Sequence, residues 1–326
     1  MTTPSVHRRT TLLRLAAAAL ALHAPLAMAQ SDKPLRLIVP LTTGSTVDSV
    51  ARALSNPMGR AFAHPVVVEN LPGAGGMPDT LQVVKAPKDG LTLGLISSNH
   101  VINPAIYKKA LFDHQNDITP ITVFGNVPLV LVVHPSVAAN NTRELVALMK
   151  SKPGQLNLGS AGNGSTLHLA GELFGNEAGV EIRHIPYKGT GPLTTDLIGG
   201  QVQMAFISVT AAAPHVKSGK LRAIGVSTKA RSTALPDVPT LAESGLPGYS
   251  FDAWLALIGP PGLPANVVQD TYTRMHKVLG EKEVQDTLAA QGIAPMNLDP
   301  RQSAAFFKSE LEKHAKLVKQ SGATLD

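Results

Sequence analysis

The chain has no cysteine among its 326 residues. Thiol nucleophiles, disulfides and cysteine-held metals are therefore excluded from its chemistry. Aromatic residues are scarce, 4 % of the chain with a single tryptophan, and charged residues make up only 16 %. No Lys/Arg cluster is interleaved with aromatics, which argues against nucleic acid as a partner. No apolar run reaches the ~20 residues that cross a bilayer. Catalytic signatures are missing too: there is no G-x-S-x-G elbow, no H-E-x-x-H and no marked pair of acids. His168 and Glu172 stand four apart, on one helical face, but nothing marks the third ligand that a metal needs. No cofactor is implied.

What is present begins at the N-terminus. His7, Arg8, Arg9 and Arg14 form a basic start, Leu15 to Leu22 is a short apolar run, and Ala27-Met28-Ala29 is a small-x-small cleavage site. This is the pattern of a secretory signal peptide over residues 1–29, with the mature chain starting near Gln30 in the periplasm. Arg8-Arg9 raises the twin-arginine route, but Thr11 replaces the bulky residue of such signals, so ordinary secretion is preferred. Removing the three signal arginines leaves 26 basic residues against 23 acidic ones, a net charge of +3 where the full chain has +6. With 44 % apolar residues, the remainder is globular and long enough for two domains with cores that need no disulfide.

One unit recurs along the mature chain: an apolar run, a Gly-rich loop, then a helical pattern. Leu35–Pro40 leads into LTTGST and VDSVARAL. Val66–Glu69 leads into NLPGAGG and a pattern over 78–86. Leu156–Leu158 leads into GSAGNGS and TLHLAGELF, and Ile182–Ile185 into PYKGTG and PLTTDLIGG. Strands alternating with helices predict parallel α/β sheets with helices on both faces, and ligands beyond the carboxyl ends of the strands. PLVLVV (128–133) and FDAWLALI (251–258) are longer runs. Two amphipathic helices are expected after them, over 266–291 and 301–320. The chain therefore reads as two lobes with a cleft between them. Lobe 1 is discontinuous, 30–124 with 249–326, and lobe 2 is 125–248.

The loop starting at Gly159 is one residue short of a phosphate-binding P-loop, with Ser165 in place of the lysine. A helix start offers about four unpaired N–H groups and roughly half a positive charge. Without a cation, such a loop suits a carboxylate better than a triphosphate.

The sequence resembles the tripartite tricarboxylate transporter solute receptors, first described as Bordetella uptake gene proteins, over essentially the whole mature chain. The matching stretches include VVVENLPGAGG (66–76), APKDGLTLGL (86–95), INPAIY (102–107), GSAGNGSTLHLAGELF (159–174), IPYKGTGPLTTDLIGGQV (185–202) and LPDVPTLAESGLPGY (235–249). The resemblance implies a type II periplasmic binding protein fold: a two-lobed α/β clamshell with a ligand cleft. It implies no enzymatic activity. It also implies a small carboxylate ligand (a di- or tricarboxylate, an acidic amino acid or an aromatic acid). Delivery would be to a membrane permease of a large and a small subunit, by a monomeric receptor.

The family's first loop reads close to P-x-x-P-G-G-x-[TN]-D. Here Gly44 and Asp48 match, whereas Thr43, Ser45 and Val47 depart from it. Thr43, Ser45 and Thr46 are expected to compensate for the polar residue lost at Val47. In the second lobe Ser160, Gly164, Ser165, Thr166 and His168 match, as do Tyr187, Lys188 and Gly189. Met77-Pro78-Asp79 departs from the family's Asn-Ile-Gly. Ser98, Asn99, Ala161 and Ser208 complete the candidate ligand-binding set. Several of these have plainer readings: Asp48 as a helix cap, His168 as a satisfied half-buried histidine, Lys188 as a solvated cation, Ser98 and Asn99 as part of a polar turn. Trp254 packs in the core or stacks on a ligand ring. Two rival classes remain at this level, a sensory receptor for a two-component system and an exported hydrolase.

Overall fold

The computed structural model describes residues 33–71 and 76–321. The expected signal peptide and most of the NLPGAGG loop lie outside those residues. The chain alternates strands and helices in the order β1 (Leu35–Val39), α1 (Thr46–Phe62), β2 (Val66–Asn70), α2 (Met77–Val84), β3 (Thr92–Ser97), α3 (Asn99–Ile106), β4 (Thr119–Val127) and β5 (Leu129–Val133). There follow α4 (Thr142–Ser151), β6 (Asn157–Ser160), α5 (Thr166–Ala178), β7 (Arg183–Pro186), α6 (Thr190–Ile198), β8 (Met204–Ser208), α7 (Val209–Lys217) and β9 (Arg222–Val226). The last elements are β10 (Ala253–Gly259), α8 (Ala265–Gly280), α9 (Lys282–Ala290), β11 (Ala294–Pro295) and α10 (Pro300–Ser321).

The strands form two sheets, ordered β11-β4-β10-β3-β1-β2 and β7-β6-β8-β5-β9. They share one plan. β1 runs parallel to β2 and β3, and β6 runs parallel to β7 and β8. Each sheet then takes in one internal reversed strand, the first after the chain has crossed from the other sheet, and the larger sheet ends on a second, the two-residue β11 antiparallel to β4. β5 lies antiparallel between β8 and β9, and β10 lies antiparallel between β3 and β4. This is the topology expected of a type II binding protein, with one correction: the sheets are mixed, not parallel throughout. The two internal reversed strands are the two longer apolar runs. All five residues of β5 and all seven of β10 are buried, because neighbours cover both their edges and helices both their faces.

The chain leaves the larger sheet at Pro128, between β4 and β5. Proline has no N–H to extend a ladder, which suits it to a switch between sheets. The return path runs beside it: Leu129 N–H donates to Ser227 Oγ at 3.0 Å, Ser227 N–H donates to the Leu129 carbonyl at 2.9 Å, and Phe251 N–H donates to the Ser227 carbonyl at 3.0 Å. The helix expected over 266–291 is two helices, because Glu281 adopts an extended conformation (ψ 130°) between α8 and α9. The long α10 packs on α3 of one layer and on α5 of the other. Trp254 belongs to the core. Its indole N–H donates to Glu310 Oε2 at 3.0 Å on α10, and Phe306 and Phe307 cover its ring. Among the described residues no helix is long and apolar enough to cross a membrane.

Candidate functional site

The same tripeptide follows the central parallel strand of each sheet: Gly44-Ser45-Thr46 after β1 and Gly164-Ser165-Thr166 after β6. The two loops fold alike. Each glycine has a positive φ, +81° and +69°, a left-handed conformation that favours glycine. Each serine is an N-cap with extended backbone, φ −68°, ψ 161° and φ −67°, ψ 157°. Ser45 Oγ accepts from Asp48 N–H and Ser165 Oγ accepts from His168 N–H, both at 3.2 Å. In each loop the third helical residue reaches back to the glycine: Gly44 N–H donates to Asp48 Oδ2 at 2.8 Å, and Gly164 N–H donates to His168 Nδ1 at 3.0 Å. This is a capping box moved one residue outward, with an acid in one lobe and an imidazole in the other. Each of these side chains is paired one turn further on, Asp48 with Arg52 at 3.0 Å and His168 Nε2 with Glu172 at 3.3 Å.

The threonines point at the opposite sheet's loops. Thr46 Oγ1 donates to Ser208 Oγ at 3.1 Å, and Ser208 is itself the N-cap of α7. Thr166 Oγ1 lies 3.3 Å from Ser98 Oγ, which precedes α3. Four helix starts therefore meet in two matched pairs, α1 with α7 and α3 with α5, each pair made of one helix from each layer. At the second pair Asn99 Oδ1 accepts from both the hydroxyl of Thr166, at 2.6 Å, and its N–H, at 3.2 Å. A Cβ added to Gly164 would run into Ile106 of α3, so the two layers touch closely here. The Lys188–Gly189 loop faces Thr42, whose hydroxyl lies 3.9 Å from where a Cβ on Gly189 would stand.

The expected site residues thus divide. Thr46, Ser98, Asn99, Gly164, Thr166, Gly189 and Ser208 are brought together across the layers. Thr43 and Lys188 are exposed on the loops beside them, and Ala161 is half-buried at the base of the Gly159 loop. The others are not turned towards that meeting point. Val47 is 3 % exposed and packs in the core, because the second residue of α1 faces the sheet. The oxygens of Ser45 and Ser165 are used as caps. Asp48 is buried. Burial alone would raise its carboxyl, but hydrogen bonds from Arg52, Gly44 N–H and Asn70 outweigh it and hold the group below the usual carboxylate range. Ser160 Oγ is saturated by His184 Nε2 at 2.6 Å and by the Gly162 carbonyl and N–H at 2.9 and 3.1 Å. His168 lies under its loop, its ring stacked on His184 with centroids 3.7 Å apart. Tyr187 donates its hydroxyl to Asp196 at 2.9 Å, within its own layer.

Thr42, Ile106 and His184 are additions that the sequence reading missed. Thr42 lies in the LTTGST loop and Ile106 in the INPAIY stretch, but neither pattern points to the other layer, and only the fold places them opposite its glycines. No group of three or more metal-ligating side chains occurs among the described residues, so His168 and Glu172 do not extend to a metal site.

Residues 50–323 match the family described as "Tripartite tricarboxylate transporter family receptor". The chain is 36 % identical to protein BugT of Bordetella pertussis over 299 residues, 90 % of each chain. It is similar to the solved periplasmic binding protein BugD, with 31 % identity, a TM-score of 0.82, and 89 % of this chain and 98 % of that one covered. A solved R. palustris protein with adipate gives 30 % identity and a TM-score of 0.84 over 89 % of this chain and 98 % of that one. MatC of Rhodopseudomonas palustris, with bound malate, gives 28 % identity and 0.79 over 87 % and 98 %. The matched family is one of receptors and BugD is a periplasmic binding protein; neither is an enzyme.

Proposed function

The chain belongs to the tripartite tricarboxylate transporter receptor family, and we propose that it captures a small carboxylate between its two sheets and hands it to a two-component membrane permease. One observation carries the reading: four helix starts meet in two matched pairs across the layers, at Thr46–Ser208 and at Thr166–Ser98/Asn99. Helix starts carry unpaired N–H groups and a partial positive charge, and an anion that bridges them satisfies both layers at once. Two relatives of the fold hold dicarboxylates, adipate and malate. A ligand carboxylate oxygen would take the acceptor place that Asn99 Oδ1 fills at Thr166.

The magnitudes agree. Hydrogen bonds to a charged group contribute about 1.5–3 kcal/mol each, and micromolar binding needs about 8 kcal/mol. Three to five such bonds suffice with no lysine in the loop. Because the layers already touch, the ligand enters when they part, and lobes 30–124 with 249–326 and 125–248 would move about the paired crossings at Pro128 and Ser227. A ligand favours the closed form only by contacting both lobes better there. Export by the N-terminal signal, with cleavage near Ala29, would place the chain in the periplasm, as for other members of the family.

The reading is tested by a thermal-shift screen of mono-, di- and tricarboxylates, acidic amino acids and aromatic acids, followed by X-ray scattering with the best acid. We expect at least one acid to raise the melting temperature and to reduce the radius of gyration. A screen in which no acid binds below millimolar concentration would overturn it.

A further inference from the structure

From glycine to helix the two GST loops share their cap, their left-handed glycine and their turn hydrogen bond, but they differ in one chemical respect. Ser45 N–H donates to the Thr42 carbonyl, and Ser165 N–H to the Gly162 carbonyl. The caps, the left-handed glycines and the returning acceptors correspond one to one. The acceptor in the first loop is the carboxylate of Asp48, held ionised and paired with Arg52. The acceptor in the second is Nδ1 of His168. A nitrogen that accepts an N–H carries no proton, so this ring is the neutral tautomer with its proton on Nε2, towards Glu172. One face of the ring is covered by His184, whose imidazole is pushed down to about 4, chiefly by burial, and is neutral too. His184 is fixed in turn by Ser160 at 2.6 Å.

We infer that His168 is a positioning residue of the ligand cradle, doing for Gly164-Ser165-Thr166 what Asp48 does for Gly44-Ser45-Thr46 but without placing a negative charge under the loop. The inference rests on the carboxylate reading above. An anion beneath the start of α1 offsets that helix's positive end. The start of α5 has a neutral group in the same place, so the positive end of that helix is not offset there, which favours a carboxylate that displaces Asn99 Oδ1 from the Thr166 N–H and hydroxyl. His168 touches the loop from below and need not touch the ligand. Glu172 and His184 hold the ring in the tautomer and orientation that Gly164 requires.

Four substitutions separate geometry from charge. In His168→Asn, Oδ1 takes the place of Nδ1 and the ring is lost. In His168→Asp the acceptor is kept and a charge is added. In His168→Gln the polar group moves to the Nε2 position, and in His168→Leu it is removed. The first readout needs no ligand: NMR of the 15N-labelled chain. We expect a through-hydrogen-bond coupling between Gly164 N and His168 Nδ1 in the wild type. Exchange of the Gly164 amide proton should stay slow in the Asn and Asp variants and become at least tenfold faster in the Gln and Leu variants. The second readout is calorimetry with adipate, malate and the best acid of the screen. We expect affinity within threefold of wild type for Asn, and a loss of tenfold or more for Asp, Gln and Leu. Absence of the wild-type coupling, or equal Gly164 exchange in the Asn and Gln variants, would overturn the positioning role. Equal affinity in the Asn and Asp variants would overturn the charge argument. If no carboxylate binds the wild type at all, the proposed function fails while the NMR arm still decides the role of His168.

Discussion

Asn99 Oδ1, at the start of α3 in one layer, sits on the first turn of α5 in the other, where it accepts from both the N–H and the hydroxyl of Thr166. A neutral carboxamide oxygen thus occupies the acceptor place that suits a ligand's carboxylate oxygen, and ligand and Asn99 compete for Thr166. Asn99→Ala removes the competitor. Breaking about 1 kcal/mol of neutral hydrogen bonding should tighten carboxylate binding about fivefold. Calorimetry on the two proteins measures this, and a tenfold loss of affinity would instead make Asn99 a direct ligand contact.

Ser165 and Thr166 adjoin but are used differently. Ser165 caps α5, so Ser165→Ala should lower stability by about 1 kcal/mol, typical of an N-cap. Thr166 presents its hydroxyl to Asn99 and Ser98 of the opposite layer, so Thr166→Val should cost a similar ~1 kcal/mol of stability but also weaken carboxylate binding about ten- to a hundredfold, where Ser165→Ala leaves affinity within about twofold. Denaturant titration and calorimetry on both variants give the two numbers. The same affinity loss from both substitutions would mean that the cap and the donor had been assigned wrongly.

How much of this was legible in the sequence differs between fold and site. The strand–loop–helix alternation from LRLIVP onward was plain because each unit is short and punctuated by glycine. The reversed strands were not, since TPITVFGNVPLVLVV reads as one apolar stretch and only Pro128 marks where β4 ends and β5 begins in another sheet. The candidate loops were also legible, but the direction of their hydroxyls was not. Ser45-x-x-Asp48 and Ser165-x-x-His168 are capping patterns, and recognising them would have turned both serine oxygens inward. The pairing of Thr46 with Ser208, and of Thr166 with Ser98 and Asn99, depends on the fold, which sets residues far apart in sequence face to face.

Acid should unfold this protein through its buried imidazoles. Burial pushes His100 down to about 3 and His114 down to about 4, and the two are 4 % and 3 % exposed. Below the ordinary histidine range the unfolded chain takes up protons that the folded chain refuses, so stability falls as pH drops from about 6.5 towards 4. At pH 5 each imidazole accounts for roughly 2 kcal/mol of lost stability. Asp79 acts in the opposite sense: burial raises it to about 6, so protonating it as pH falls recovers part of the loss. His114→Phe, which keeps a ring beside Phe112 and the backbone carbonyl that His100 meets, should flatten the decline. Urea unfolding at pH 7.5 and pH 5.0 tests this, and equal declines in the two proteins would exclude His114 as a source.

Trp254 is held by Glu310 and by the phenyl rings of α10, away from the cross-layer loops. Trp254→Phe leaves Glu310 without its indole partner and removes ring volume from the core, so about 1–3 kcal/mol of stability should be lost. Carboxylate affinity should stay within twofold, aromatic acids included. A tenfold loss confined to aromatic acids would place the indole in the ligand site.

The central claim is that a carboxylate is gripped between Thr46, at the start of α1 in one layer, and Thr166, at the start of α5 in the other. Calorimetry of the acid giving the largest thermal shift, on the wild type and on the Thr46→Val/Thr166→Val double variant, tests it most directly. The account predicts micromolar binding to the wild type and a loss of at least a hundredfold in the double variant, which should still unfold cooperatively after losing about 2 kcal/mol with its cross-layer hydrogen bonds. Equal affinity in the two proteins would contradict it.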